Sequence, residues 1–231
     1  MSFFSFDNTA GSSQSSIKPR LEGNEIYTVK FDGCEIKDIQ GVKDPSQLYK
    51  VLILKFSNED GVYEHTIFEP KEDEYQRTER EFTNKNGNVE KIPQPSGVES
   101  LMLLLKHAID SINPTVASKI DKGEASLKAK NWEDLRKVVA AVLEPGIGAV
   151  TKIKLLKNNK GEAIFPGFFA SVNRDGKAYI RNNFIGSKIA FTPYEADRIK
   201  NSTTAKPTEV DATTMFETPQ VDHGLDISFK L

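Results

Sequence analysis

Lys177, Tyr179 and Arg181 are three side chains at a spacing of two, and they form the strongest chemical feature of this sequence. Alternate side chains share a face of an extended strand. The trio therefore sets a ring between two cations, with Ala178, Ile180 and Phe184 turned the other way toward a core. Such a face suits a phosphodiester chain whose bases stack on the ring. The cations follow phosphates and gain from counterion release, and each stacked base contributes about 1–3 kcal/mol. One strand earlier, Lys152 and Lys154 repeat the spacing, opposite Thr151, Ile153 and Leu155. Lys157, Lys160, Arg174 and Lys188 lie in the same stretch. Between the strands, Pro166 and Gly167 interrupt Phe165-Pro-Gly-Phe-Phe169. A bulge or bend there would present Phe165 or Phe168 outward as a second stacking ring.

Other chemistries find little to work with. The histidines are His65, His107 and His223. No HExxH, phosphate-binding loop or nucleophile elbow is present. The acids Glu69, Glu72, Asp73 and Glu74 have the look of a solvated loop, and Gly146-Ile-Gly148 that of a helix-end turn. With Cys34 as the single cysteine, an intramolecular disulfide is impossible and a cysteine-based zinc site is disfavoured. Cys34 reads as a small buried residue, and Trp132 as a core residue at a helix start. The expectation is a protein that binds without catalysis, and without a metal or cofactor.

Charge at first argues against nucleic acid, since 31 basic and 33 acidic side chains leave a net of -2 over 231 residues. The signs are segregated, however. Residues 151–191 carry eight cations (Lys152, Lys154, Lys157, Lys160, Arg174, Lys177, Arg181, Lys188) against Glu162 and Asp175, a net of +6. Residues 57–99 stand at five against eleven, a net of -6, and residues 207–231 at one against five, a net of -4. Asymmetry of this kind points to an electrostatic partner. No apolar run approaches the roughly 18 residues that span a bilayer. Met1–Asp7 also lacks the basic flank and long apolar region of a signal peptide. A cytoplasmic location without membrane contact is expected.

The elements that must hold the cations in place follow from pattern. Residues 1–20 are polar and Ser-rich apart from Phe3, Phe4 and Phe6, and read as a flexible arm that could dock on the domain or on a neighbouring copy. Residues 201–231 read as a flexible acidic tail, leaving one domain over 21–200. Asn24–Asp32 has strand composition, and Leu48–Phe56 is apolar on both faces, as a central strand would be. Asn58–Gly61 turns that strand into Val62–Glu69. A charged loop bounded by Pro70 and Pro95 follows. Ser96 and Glu99 then form a capping box for a helix with Leu101, Leu105, Ala108, Ile109 and Ile112 on one face. A second helix starts near Asn131 and stops at Pro145-Gly146. Strands over Gly148–Lys157, Glu162–Ser171, Lys177–Phe184 and Ser187–Phe191 come next, joined by turns at Asn158–Gly161 and Asn173–Gly176. Thr192-Pro-Tyr-Glu195 opens a short closing helix. The fold class is mainly β or α+β, a small barrel with a helical insertion over about 96–146.

Three stretches together resemble the single-stranded DNA-binding proteins of tailed bacteriophages. They are Ile26-Tyr-Thr-Val-Lys-Phe-Asp-Gly-Cys-Glu35, Tyr49–Ser57 with His65–Pro70, and Lys152–Lys157 with Phe165–Phe169 and Ala178–Phe184. The resemblance covers roughly residues 20–200 and rests on overall pattern. It implies an OB-fold with the helical insertion between its third and fourth strands. It also implies an acidic tail that recruits replication or recombination enzymes. The tail 207–231 agrees in its charge and in Ile227 and Phe229, and departs in Lys230 and in lacking a dense acidic run. The expected role is to bind and protect single-stranded DNA in replication, recombination or repair, without strong sequence preference. Lys152, Lys154, Lys157, Lys160, Arg174, Lys177, Arg181 and Lys188 would meet phosphates, and Tyr179 with Phe165 or Phe168 would stack on bases. Two alternatives remain: a phage structural or assembly protein, and a single-strand annealing recombination protein that forms rings.

Overall fold

A run that is apolar on both faces, such as Val51–Leu54, belongs in the middle of a sheet with a neighbour on each edge. The strand β2 (Leu48–Ser57) has that sequence and lies between β1 (Glu25–Gln40) and β3 (Val62–Phe68) in an antiparallel meander. The sheet continues on the far side of β1 with β6 (Val150–Lys157) and β7 (Ala163–Ile164), giving the order β3-β2-β1-β6-β7. These five strands curl into a half-barrel. The structure, a computed structural model, describes residues 18–41, 44–83, 86–125, 127–167 and 169–204. The arm over 1–17, residues 205–231 of the expected tail, and Phe168 lie outside the described residues.

Register places the core. Directly opposed residues of an antiparallel sheet share a face, so the inner face carries the rows Phe31–Phe56–Tyr63, Cys34–Leu54–His65 and Ile36–Leu52–Ile67. The bulge between Phe31 and Gly33 keeps the first two rows aligned, because the extra residue Asp32 lets Phe31 and Cys34 both point inward. Gly33 sits at φ 119°, a conformation that residues with a side chain rarely adopt. Toward β6 the inner face continues as Val29–Thr151 and Tyr27–Ile153.

Between β3 and β6 come a hairpin and three helices, α1 (Gly97–Ile112), α2 (Pro114–Asp121) and α3 (Trp132–Leu143). They bury Leu104, Leu105, Ala108, Ile109, Val139 and Leu143 against the inner rows. Each Leu, Ile or Val among them stabilises by about 1.5–3 kcal/mol. The α1 capping box forms as its sequence requires, with Glu99 N–H donating to Ser96 Oγ and Ser96 N–H to Glu99 Oε2. Asn131 caps α3 by accepting from Asp134 N–H. Trp132 Nε1–H donates to Lys50 O at 2.6 Å, fixing the start of α3 to β2.

Several elements differ from the sequence reading. The stretch from Pro70 to Pro95 contains the hairpin β4 (Glu79–Thr83) and β5 (Val89–Pro93). Every residue of β5 is exposed, so that strand has no buried stripe to betray it. The eight-residue α2 was not anticipated; it begins with Pro114 just after its cap Asn113, whose side chain also donates to Val142 O. Late in the chain the strands are shorter than expected: β8 (Ala170–Val172) and β9 (Ala178–Ile180) form a separate hairpin. No strand forms over 187–191, and Ile185 instead bridges to Ile153 on β6. The closing helix α4 (Pro193–Thr204) has the predicted cap, Glu195 N–H donating to Thr192 Oγ1 and Thr192 N–H to Glu195 Oε2, but runs for 12 residues. Among the described residues no helix is long and apolar enough to cross a membrane.

Candidate nucleic-acid interface

The hairpin of β8 and β9 turns through Asn173-Arg-Asp-Gly176. Asn173 Oδ1 accepts from Lys177 N–H at 2.7 Å, and Gly176 takes φ 75°. Tyr179 at the middle of β9 and the cations just beyond its ends, Lys177 and Arg181, are all exposed, while Ala178 and Ile180 are half-buried. Tyr179 is 43% exposed and stands opposite Ser171, too small to cover the ring. Arg174 is exposed at the turn itself. None of Arg174, Lys177 or Arg181 makes an ion pair with a described residue.

Main-chain bonds close the base of the hairpin and tie the segment that follows it to β6. Arg181 and Asn182 N–H donate to Phe169 O, Lys154 N–H to Phe184 O and Gly186 N–H to Lys152 O. Lys152 is exposed on the outer face of β6, opposite Thr28 of β1. Lys160 and Lys188 are also exposed and without ion pairs to described residues. Lys157 is exposed but lies 3.5 Å from Glu22 Oε2, a contact that solvent weakens.

Two predicted contacts are elsewhere. Lys154 is 0% exposed: its Nζ donates to Asn182 Oδ1, to Ala190 O at 3.0 Å and to Glu195 Oε2 at 2.9 Å. Alternation puts Lys154 on the same outer face as Lys152, but Glu195 at the start of α4 covers that face one step along. All three ammonium protons are engaged, so no phosphate can be met there. Burial raises the Glu195 pKa, but hydrogen bonds from Lys154, Thr192 N–H and Asn182 outweigh it and hold the carboxyl below its ordinary value. Phe165 is the second correction. It is 5% exposed, its ring packed among Phe56, Tyr63, His65 and Phe184, and Pro166 is buried beside it. Its N–H donates to Tyr63 Oη at 3.1 Å, so Phe165 closes the seam between β3 and the end of β7. Phe168, outside the described residues, leaves Tyr179 as the exposed ring of the predicted set.

The structure also offers an aromatic surface that the sequence reading overlooked. The outer face of the meander carries the rows Lys37–Val51–Phe68 and Glu35–Ile53–Thr66, with Ile39–Tyr49 alongside. Tyr49 and Phe68 meet edge-on at 6.3 Å and are both half-buried. Val51 and Ile53 on this face are buried, so what it exposes in part is Tyr49 and Phe68. Charge there is balanced, with Lys55 Nζ 2.6 Å from Glu35 and 3.8 Å from Glu64. Among the described residues no three His, Cys, Asp or Glu side chains are placed to hold a metal ion. Burial pushes the Cys34 thiol up to about 12, so it stays a neutral thiol.

No protein-family model, curated protein or solved structure matches the chain.

Proposed function

We propose that this protein binds single-stranded DNA without strong sequence preference, through the exposed face of the β8–β9 hairpin and the adjoining edge of β6. The observation that carries the reading is the row Lys177, Tyr179 and Arg181, exposed at β9 with no ion pair to a described residue. Arg174, Lys152, Lys160, Lys188 and Lys157 extend the cationic track, and Tyr179 gives a base a ring to stack on. Under this reading the half-barrel is an OB-fold and α1–α3 its helical insertion. In support, the long β1 pairs β2 along Lys30–Gln40 and β6 along Glu25–Lys30. The phage-type role in protecting DNA during replication, recombination or repair rests on the resemblance, as does enzyme recruitment by residues 207–231.

The test is fluorescence anisotropy of a labelled oligothymidine from about 50 to 200 mM salt, where affinity should fall steeply as log salt rises. Absent binding, or binding indifferent to salt, overturns the reading and favours an assembly protein that contacts other proteins. An oligoribonucleotide of matched length separates DNA from RNA preference.

A further inference from the structure

Next to the β8–β9 turn, where Gly176 approaches Arg77, loop 69–77 and the helices α1 and α3 enclose an open groove of about 660 Å³, within the size range of ligand pockets. Its floor is apolar: Val98, Leu101 and Met102 from α1, and Leu127 and Leu135 beside α3. Tyr75, 54% exposed, stands on its rim. No described segment covers it. A second depression adjoins it, sharing Ala129 and Lys130 and adding Lys128 and Lys137. Lys128 and Lys130 are exposed and make no ion pair with a described residue. Glu69 and Asp134 also line the two depressions and Glu99 is paired with Arg77, so the cations without an ion pair gather at Lys128 and Lys130. An apolar floor ending in that pair suits a segment of large apolar side chains with acids at one end.

The chain contains such a segment. Residues 207–231 hold five acids against Lys230, and within them Leu225-Asp-Ile-Ser-Phe-Lys-Leu231 alternates apolar and polar residues without a break. Extended, it turns Leu225, Ile227, Phe229 and Leu231 to one side. The twenty residues between Thr204 and Leu225 reach up to about 70 Å, enough to pass around a domain of this size. We infer that the segment 225–231 of the same chain docks in the groove between loop 69–77, α1 and α3, with Asp226 and the preceding Asp222 toward Lys128 and Lys130. This does not rest on DNA binding.

Trp132 lines the groove and is the single tryptophan, so its emission reports occupancy directly. The full chain is compared with a Leu225→Ser, Ile227→Ser, Phe229→Ser variant, whose changes lie outside the described fold. Trp132 emission should differ between them. A labelled peptide of residues 207–231 should bind the variant saturably, with affinity about tenfold lower when Lys128→Glu and Lys130→Glu are added. Lys177→Ala with Arg181→Ala should leave peptide affinity unchanged. No saturable peptide binding overturns the proposal whatever the emission does. So does binding that depends on Lys177 and Arg181 instead of Lys128 and Lys130. An emission difference that grows with protein concentration would assign the groove to a second copy of the chain. Movement of Trp132 emission on changing Phe3, Phe4 and Phe6 to Ser, with none from the 225–229 change, would assign it to the arm.

Discussion

β6 carries Lys152 and Lys154 two apart on one face, and Lys177 and Arg181 flank Tyr179 of β9 in the same alternation, yet the molecule treats the two sets oppositely. At β9 both Lys177 and Arg181 face water around Tyr179. On β6 Lys152 faces water while Lys154 is sealed beneath Glu195 of α4. Strand periodicity fixes which face a side chain takes. Whether that face is solvent depends on what another part of the chain lays over it. An ammonium in water is free to exchange a counterion for a phosphate. One that is desolvated and bonded to a carboxylate, an amide and a carbonyl is part of the scaffold.

The sharpest way to break this comparison is to remove each cation and ask whether stability or DNA affinity responds. Lys154→Ala should destabilise by about 3–5 kcal/mol in urea unfolding, because it leaves Glu195 buried without its cation. Lys154→Met combined with Glu195→Leu should recover most of that loss. If Lys154→Ala is as stable as the parent, the buried pair does not hold α4 in place.

The seam closed by Phe165 predicts a pH effect of similar size. Phe165 N–H donates to Tyr63 Oη, which leaves the Tyr63 hydroxyl proton for His65 Nδ1 at 3.2 Å. Burial pushes the His65 imidazole down from 6.5 to about 4. Between those values the unfolded chain takes up a proton that the folded chain refuses. Stability should therefore fall as pH drops through that window, by about 3 kcal/mol in all at about 1.4 kcal/mol per pH unit. Denaturant titrations at pH 7 and pH 4.5 measure this directly, and His65→Gln should flatten the difference.

On the hairpin the response should move from folding to binding. Tyr179→Ala should weaken oligothymidine binding by about 1–3 kcal/mol at every salt concentration, as loss of a stacking ring does. Lys177→Ala with Arg181→Ala should instead reduce the salt slope by about 1.4, given about 0.7 per phosphate contact on a single strand. The same pair should change folding stability by less than about 0.5 kcal/mol, as surface substitutions usually do. A large stability loss there would make the hairpin scaffold, like Lys154, and dissolve the contrast.

Legibility followed the strength of local signals. The central position of β2, the turn at Asn58–Gly61 and the caps at Ser96, Asn131 and Thr192 were readable because each depends on a few adjacent residues. The β4–β5 hairpin was not, since a strand exposed throughout has no hydrophobic period. Phe165 and Lys154 were misassigned for one reason. Pro166 and Gly167 do interrupt the ladder, but the interruption turns Phe165 toward Tyr63, 102 positions away in sequence. Glu195 likewise reaches Lys154 across 41 positions.

The sequence by itself determined the alternation that exposes Lys177, Tyr179 and Arg181 together, the segregation of charge along the chain, and the starts of α1, α3 and α4. These are local, fixed by backbone geometry and neighbouring side chains. Tertiary structure alone decided which cations keep their water and which ring stays bare. Burial is a property of contacts between distant segments, and no short stretch of residues records what will be folded over it.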